Sequence, residues 1–173
     1  SVLPGFRQLI PGSEMHHAWG RDLARKGYKL PPGGLGADDF HEWFRPGAVP
    51  GKGPTFAAAT NKAEDSDTAF AVNAAIEFVR HPERRPWLMH LSLLRPHPPF
   101  LAPASYNEMY SADDVPPFVA AGDRDMEAAQ HPLVAYMMRH HLRKEDLSAR
   151  QHPADEAAMR QLRATYYGLI HEV

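Results

Sequence analysis

The imidazole in "RPHPPF", Arg95 to Phe100, is the chemistry-bearing side chain with the least freedom around it. Pro96, Pro98 and Pro99 flank His97, and each proline ring fixes its own φ near about −65°. A side chain on so stiff a loop loses little entropy when it meets a substrate. Histidine titrates near neutrality, so it can donate a hydrogen bond to an anionic oxygen or protonate a leaving group. The stretch follows directly on "PWLMHLSLL", an apolar run ending at Leu94. That run predicts a strand from about Trp87 to Leu94, with His97 three residues past its end. In open parallel sheets, ligands bind beyond the carboxyl ends of the strands. The competing reading is an ordinary loop histidine, with prolines that only end a strand.

The elements around this run must supply the sheet. "EDSDTAFAVNAAIEFVR" precedes it, with Asp65, Ser66, Asp67 and Thr68 as capping residues. Phe70, Ala74, Ile76, Phe78 and Val79 give that helix an apolar face. Helix, the turn "HPERRP" and a near-continuous apolar strand form the αβ half of a parallel α/β sheet. Residues 1–60 are irregular and rich in Gly and Pro. One short helix is expected there, in "SEMHHAWGRDLARKG", with Ser13 as its N-cap and Gly27 just past its end. "LPPGGLG" and "RPGAVPGKGP" read as loops. After the strand a long loop runs to about Phe118. The remainder, 125–173, is helical: Asp125 to Leu142, then Pro153 to Val173, separated by "RKEDLSARQH". In the last helix Met159, Leu162, Tyr166, Leu169, Ile170 and Val173 follow helical spacing. The expected fold class is α/β.

Composition narrows the function classes. The 173 residues suffice for one domain with a real core. A net charge of −2 carries no nucleic-acid footprint. No apolar run approaches the ~20 residues of a membrane helix, so no membrane span is expected. With no Cys there is no disulfide, thiolate metal site or cysteine nucleophile within these residues. Seventeen prolines are roughly twice the usual share, which favours long ordered loops. The chain begins without Met, and no Gly, Asn or Pro stops its last helix. Both features lead to the expectation that it is a piece of a longer protein.

Other residue groups have plainer readings. His16-His17 and His140-His141 are adjacent pairs. Neighbours on a helix point about 100° apart, so such a pair does not chelate from one face. Asp113 and Asp114, followed by Val-Pro-Pro, suit a turn or cap. Tyr106 and Tyr110 could line a cleft or pack a loop. "GAVPGKGPT" lacks the spacing of G-x-x-x-x-G-K-[ST] and follows no strand, so it reads as a loop. His90, inside the apolar run, is expected to pack in the core with a hydrogen bond.

The stretch "PWLMHLSLLRPHPPFLAPASYNEMYSADDVPP" resembles the central segment of the sulfatase group in the alkaline phosphatase superfamily. There an apolar strand leads into Pro-His-x-Pro, spaced tyrosines and an Asp-Val-x-x-Pro element. The preceding "DTAFAVNAAIEFV" helix and the trailing "RATYYGLIHEV" helix also fit. The form "RPHPPF" is similar to the phosphonate monoester hydrolase branch in particular. The likeness is good over residues 64–118 and 160–173 and weak over 1–60. It implies that 1–173 is a partial, central segment of an alkaline-phosphatase-like sandwich, with a mainly parallel central sheet and flanking helices.

The same resemblance implies an activity: metal-dependent hydrolysis of small-molecule sulfate or phosphonate/phosphate esters. Such enzymes use a formylglycine made from a C/S-x-P-x-R motif, and acidic and histidine ligands hold a divalent cation (Ca, Mn or Zn). Neither set is found here. Ser1, Ser13, Ser66, Ser92, Ser105, Ser111 and Ser148 do not start that motif, and Ser-Asp-His-Gly is absent. Formylglycine and metal are therefore expected in a full-length parent, and no residue of this chain is assigned to a metal. The position that does match is His97, which by resemblance contacts the transferred group or the leaving oxygen. Arg95 is the second candidate anion contact, with a surface role as its alternative. A homo-oligomer is open for the full-length protein, and both cytoplasm and periplasm stay open as its location. Two further readings stand beside the hydrolase: a non-catalytic α/β binding module, and a phosphoryl-transferring relative.

Overall fold

The computed structural model describes residues 4–10, 14–30, 57–81, 86–97, 100–117, 119, 122–140 and 156–173. They divide between two compact units, one drawn from Ser1–Phe44 and Asn61–Leu93, the other from Arg45–Thr60 and Leu94–Val173.

In the first unit, helix α1 spans Met15–Arg25 and buries Trp19 and Leu23, one turn apart. Its N-cap is Glu14, whose side chain makes no capping bond, so the helix starts later than a Ser13 cap implies; Ser13 lies outside the described residues. Its end follows expectation. Gly27 has φ +90°, its N–H donates to Ala24 O at 3.1 Å, and Tyr28 N–H donates to Leu23 O at 3.0 Å. This pair of bonds is the Schellman closure, and the left-handed φ is what a glycine supplies without a Cβ penalty. A 3₁₀ turn, Ala63–Asp65, leads into helix α2, Asp67–Arg80. Ser66 caps it: its hydroxyl accepts from Ala69 N–H at 3.1 Å.

The 3₁₀ turn is pinned to the end of α1. Trp19 Nε1 donates to the Asp65 carbonyl at 2.8 Å. Asp65 Oδ1 receives Lys26 Nζ at 2.7 Å, and Asp65 Oδ2 receives Tyr28 OH at 2.7 Å. The Lys26 ammonium, and then the Tyr28 hydroxyl, hold the Asp65 carboxyl below its ordinary range. In return Asp65, then Asp22, raises Lys26. Burial, then Asp65, raises Tyr28.

Two expectations for this unit change. The buried face of α2 is Thr68, Ala71 and Ala75, while Ile76 and Val79 are exposed. Of the expected apolar face, Phe70, Ala74 and Phe78 are half-buried, and Ile76 and Val79 lie at the surface. The expected strand and sheet are not confirmed: no strand occurs among the described residues, and Leu88 is 79% exposed, with Trp87 and Leu91 also exposed. A strand exists only where a neighbour satisfies its row of N–H and C=O groups. Residues 86–93 have no such neighbour among the described residues. Trp87 packs edge-on to Phe78, with ring centroids 5.3 Å apart. His90 is exposed for the same reason, not packed in a core.

The second unit has a different plan. The described residues of the stretch 94–117 pack on a long helix. Between them and that helix come helix α3, Arg124–Ala129, and helix α4, Pro132–His140, which pack on each other. These two replace the single helix expected over Asp125 to Leu142. Pro132 is the cause: it lacks an N–H, disfavours helical geometry at the residue before it, and suits the first position of a new helix. Asp123 caps α3 through Met126 N–H at 2.8 Å, and His131 Nδ1 accepts Leu133 N–H at 3.1 Å at the start of α4. The long helix is α5, Glu156–Glu172. Its buried stripe is Ala164, Thr165, Gly168 and Leu169, whereas Tyr166, Ile170 and Val173 are exposed. Leu101, Ala102, Pro103 and Val115 are buried apolar loop residues of the same unit. Ala59 N–H donates to Ala102 O at 2.8 Å. Helix and loop are nearly in backbone contact, since a Cβ at Gly168 would lie 2.0 Å from the Tyr106 carbonyl oxygen.

Candidate active site

The turn that carries His97 closes at Leu94. His97 N–H donates to Leu94 O at 3.0 Å, across a cis Arg95–Pro96 bond. This is the i to i+3 bond of a turn with cis-proline at its third position. His97 itself is exposed. Pro98 and Pro99 lie outside the described residues.

The ends of this short loop are tied. Arg95 is 7% exposed, and its Nη1 donates to Leu101 O at 3.2 Å. Phe100 meets Tyr166 of α5 edge-on, with centroids 5.7 Å apart. Leu101 and Ala102 are buried. An exposed imidazole thus stands on a loop whose base is anchored by a charged hydrogen bond, an aromatic contact and a buried apolar pair. Chemically it can present an N–H to an anionic oxygen without rearrangement of its support.

Further along, the tyrosines clamp the loop to the helix. Tyr110 OH pairs with His171 Nδ1 at 3.2 Å and its ring meets Tyr167 edge-on at 5.7 Å. Tyr106 lies 6.5 Å from the His171 ring, tilted against it. Asp113 and Asp114 form a local turn: Asp114 Oδ2 accepts Ser111 N–H at 3.1 Å, and Asp113 N–H donates to Ser111 Oγ at 3.2 Å. His16 and His17 lie on α1. His141 and the stretch "GAVPGKGPT" fall outside the described residues. Among the described residues, no three His, Cys, Asp or Glu side chains come together so as to hold a metal ion. No helix among them is long and apolar enough to cross a membrane.

Sequence reasoning placed His97 and Arg95 on one loop but missed that Arg95 is buried and turned back on it. It also missed the Asp65 clasp and the Gly168 contact. A glycine inside a strongly helical pattern was the one available signal for the last of these.

No family model matches the chain. It is 34% identical over 99% of its length to the multifunctional alkaline phosphatase superfamily protein PehA of Trinickia caryophylli, of which it covers 33%. Among solved structures it is similar to the phosphonate monoester hydrolase of Agrobacterium radiobacter. There the TM-score is 0.77 at 32% identity, with 99% of this chain and 33% of that chain covered. The phosphonate monoester hydrolase of Silicibacter pomeroyi gives a TM-score of 0.76 at 30% identity, with 100% and 33% covered. The chain therefore spans about a third of the length of these relatives. In both sequence and fold, over nearly every residue, the chain is thus similar to about a third of these alkaline phosphatase superfamily proteins.

Proposed function

We propose that this chain is the central segment of a longer hydrolase of phosphonic or phosphoric esters, in which His97 contacts the reacting group. The observation that carries this reading is an exposed imidazole on an anchored turn, in a chain matched over its length by proteins named phosphonate monoester hydrolases. As the P–O ester bond breaks, negative charge collects on the leaving oxygen. A hydrogen-bond donor fixed at that oxygen lowers the barrier most when it needs no reorganisation. His97 would be that donor.

The rest of the machinery would come from elsewhere. The described residues offer no fit for a divalent metal, and no residue here starts the formylglycine motif. Both groups, if present, would belong to the remaining two-thirds of the protein. The same remainder would pair with residues 87–94, so that they form a strand of a mainly parallel sheet. Sulfate esters present oxygens of like geometry, so they share this reading as a second substrate class.

The test is a His97→Ala substitution in the full-length protein, assayed on p-nitrophenyl phenylphosphonate and on an aryl sulfate. Loss of a positioned proton donor costs about 10²–10⁴-fold, so kcat/KM should fall in that range on the better substrate. An unchanged rate on both substrates would remove His97 from the site.

A further inference from the structure

We infer that Arg95 is a positioning residue that acts through His97 and not a contact to the substrate anion. The inference rests on the role proposed for His97 above. Three observations carry it. Arg95 is 7% exposed, although it neighbours an exposed turn. Its guanidinium donates to Leu101 O at 3.2 Å, six residues on, so it spans the loop from one end to the other. The segment it reaches is itself immobilised, because Leu101 is buried and Ala102 O receives Ala59 N–H at 2.8 Å.

The physical consequence is directional. A guanidinium is a planar fork with fixed donor directions, and a charge-assisted bond to a carbonyl holds its geometry better than a neutral one. Arg95 is two residues before His97, and Leu101 is four residues after it. The bond therefore ties together the two ends of the segment that carries His97. Removing the guanidinium leaves a buried carbonyl without this donor and frees the base of the loop. His97 would keep its chemistry but lose its place. A residue that bound the anion itself would need its fork in solvent, on the side where His97 stands.

The experiment is a double-mutant cycle in the full-length protein, with p-nitrophenyl phenylphosphonate as the probe. The variants are Arg95→Met, Arg95→Lys, His97→Ala and Arg95→Met combined with His97→Ala. Thermal melts accompany the kinetics. A misplacement near 1 Å costs about 100-fold, so Arg95→Met should lower kcat by about 10–100-fold and leave KM within about threefold. Arg95→Lys, which keeps a cationic donor, should recover at least part of that loss. The combined variant should match His97→Ala within about threefold, because a residue that acts only through His97 has nothing left to position.

If instead the two losses multiply, or KM rises about tenfold in Arg95→Met, the guanidinium touches the anion and the inference fails while the role of His97 stands. An unchanged rate in Arg95→Met also sinks it. If His97→Ala retains full activity, both readings fall together. Should Arg95→Met not fold, the same cycle run with Arg95→Lys decides between additive and non-additive losses.

Discussion

Asp65 ties three residues of the first unit together. Its carboxylate takes Lys26 and Tyr28, and its carbonyl takes Trp19. The pH consequences follow from the direction of each shift. The depressed Asp65 carboxyl contributes stability that is present above the ordinary carboxylate pKa of about 4 and lost as pH falls through its lower folded value. Lys26 and Tyr28 are raised, so their contributions are present below about pH 10 and lost as pH climbs through their folded values. Between these limits the clasp is insensitive to pH. Hydrogen bonds to charged groups contribute about 1.5–3 kcal/mol, and the 41% exposure of Lys26 points below that range through screening. Asp65→Asn should then cost about 1 kcal/mol at neutrality and flatten the acid limb of the melting temperature between about pH 2 and 5. Thermal melts followed by circular dichroism across that range would show it. An acid limb as steep in the variant as in the parent would mean that other carboxylates govern it. No spacing rule announced this cluster, because its members are 37 and 46 residues apart in sequence. The stiff turn that carries His97 was readable because its prolines act on the few residues beside them.

At the scale of the element, local signals were legible and burial was not. The Ser66 cap, the Gly27 closure and the helical character of the last segment all follow from a few neighbouring residues. Which face each helix buries depends on what lies opposite. In α5 Tyr166 and Ile170 are exposed, Ala164 and Leu169 are buried, and Gly168 faces the loop backbone at Tyr106. At Gly168 the loop backbone comes too close for any side chain. Gly168→Ala tests this directly. On helix propensity alone the change should stabilise by up to about 1 kcal/mol. The new Cβ would meet the Tyr106 carbonyl oxygen at 2.0 Å, and that atom is backbone with no flexible end to swing away. Overpacking of this sort costs about 1–3 kcal/mol, so a net fall in melting temperature is expected. Part of the aromatic clamp on Tyr110, Tyr167 and His171 should loosen with it, seen as a change in near-ultraviolet circular dichroism. A higher melting temperature in the alanine variant would show that α5 stands farther from the loop than this contact requires.

For the whole molecule, the decisive segment is 87–94. Its apolar run reads as a buried strand, yet Trp87, Leu88, Leu91 and Leu94 are exposed and no ladder forms among the described residues. The sequence pattern and the exposure are reconciled if the partners of this strand lie in the two-thirds of the relatives that the chain does not span. A row of backbone groups without neighbours exchanges its amide hydrogens at nearly the rate of an open chain, whereas a central strand exchanges only through global opening. The expected result is fast exchange of residues 87–94 in the isolated 173-residue chain and strong protection in the full-length protein, by about 10³-fold or more. The isolated chain should also bind an apolar dye at this surface, since contiguous exposed apolar patches mark missing contacts. Protection already present in the isolated chain would mean that the strand pairs within it or between copies of it. Lack of protection in the full-length protein would mean that 87–94 is not a strand at all. His97 would then stand at no sheet edge, and the positional argument for its role would be lost with it.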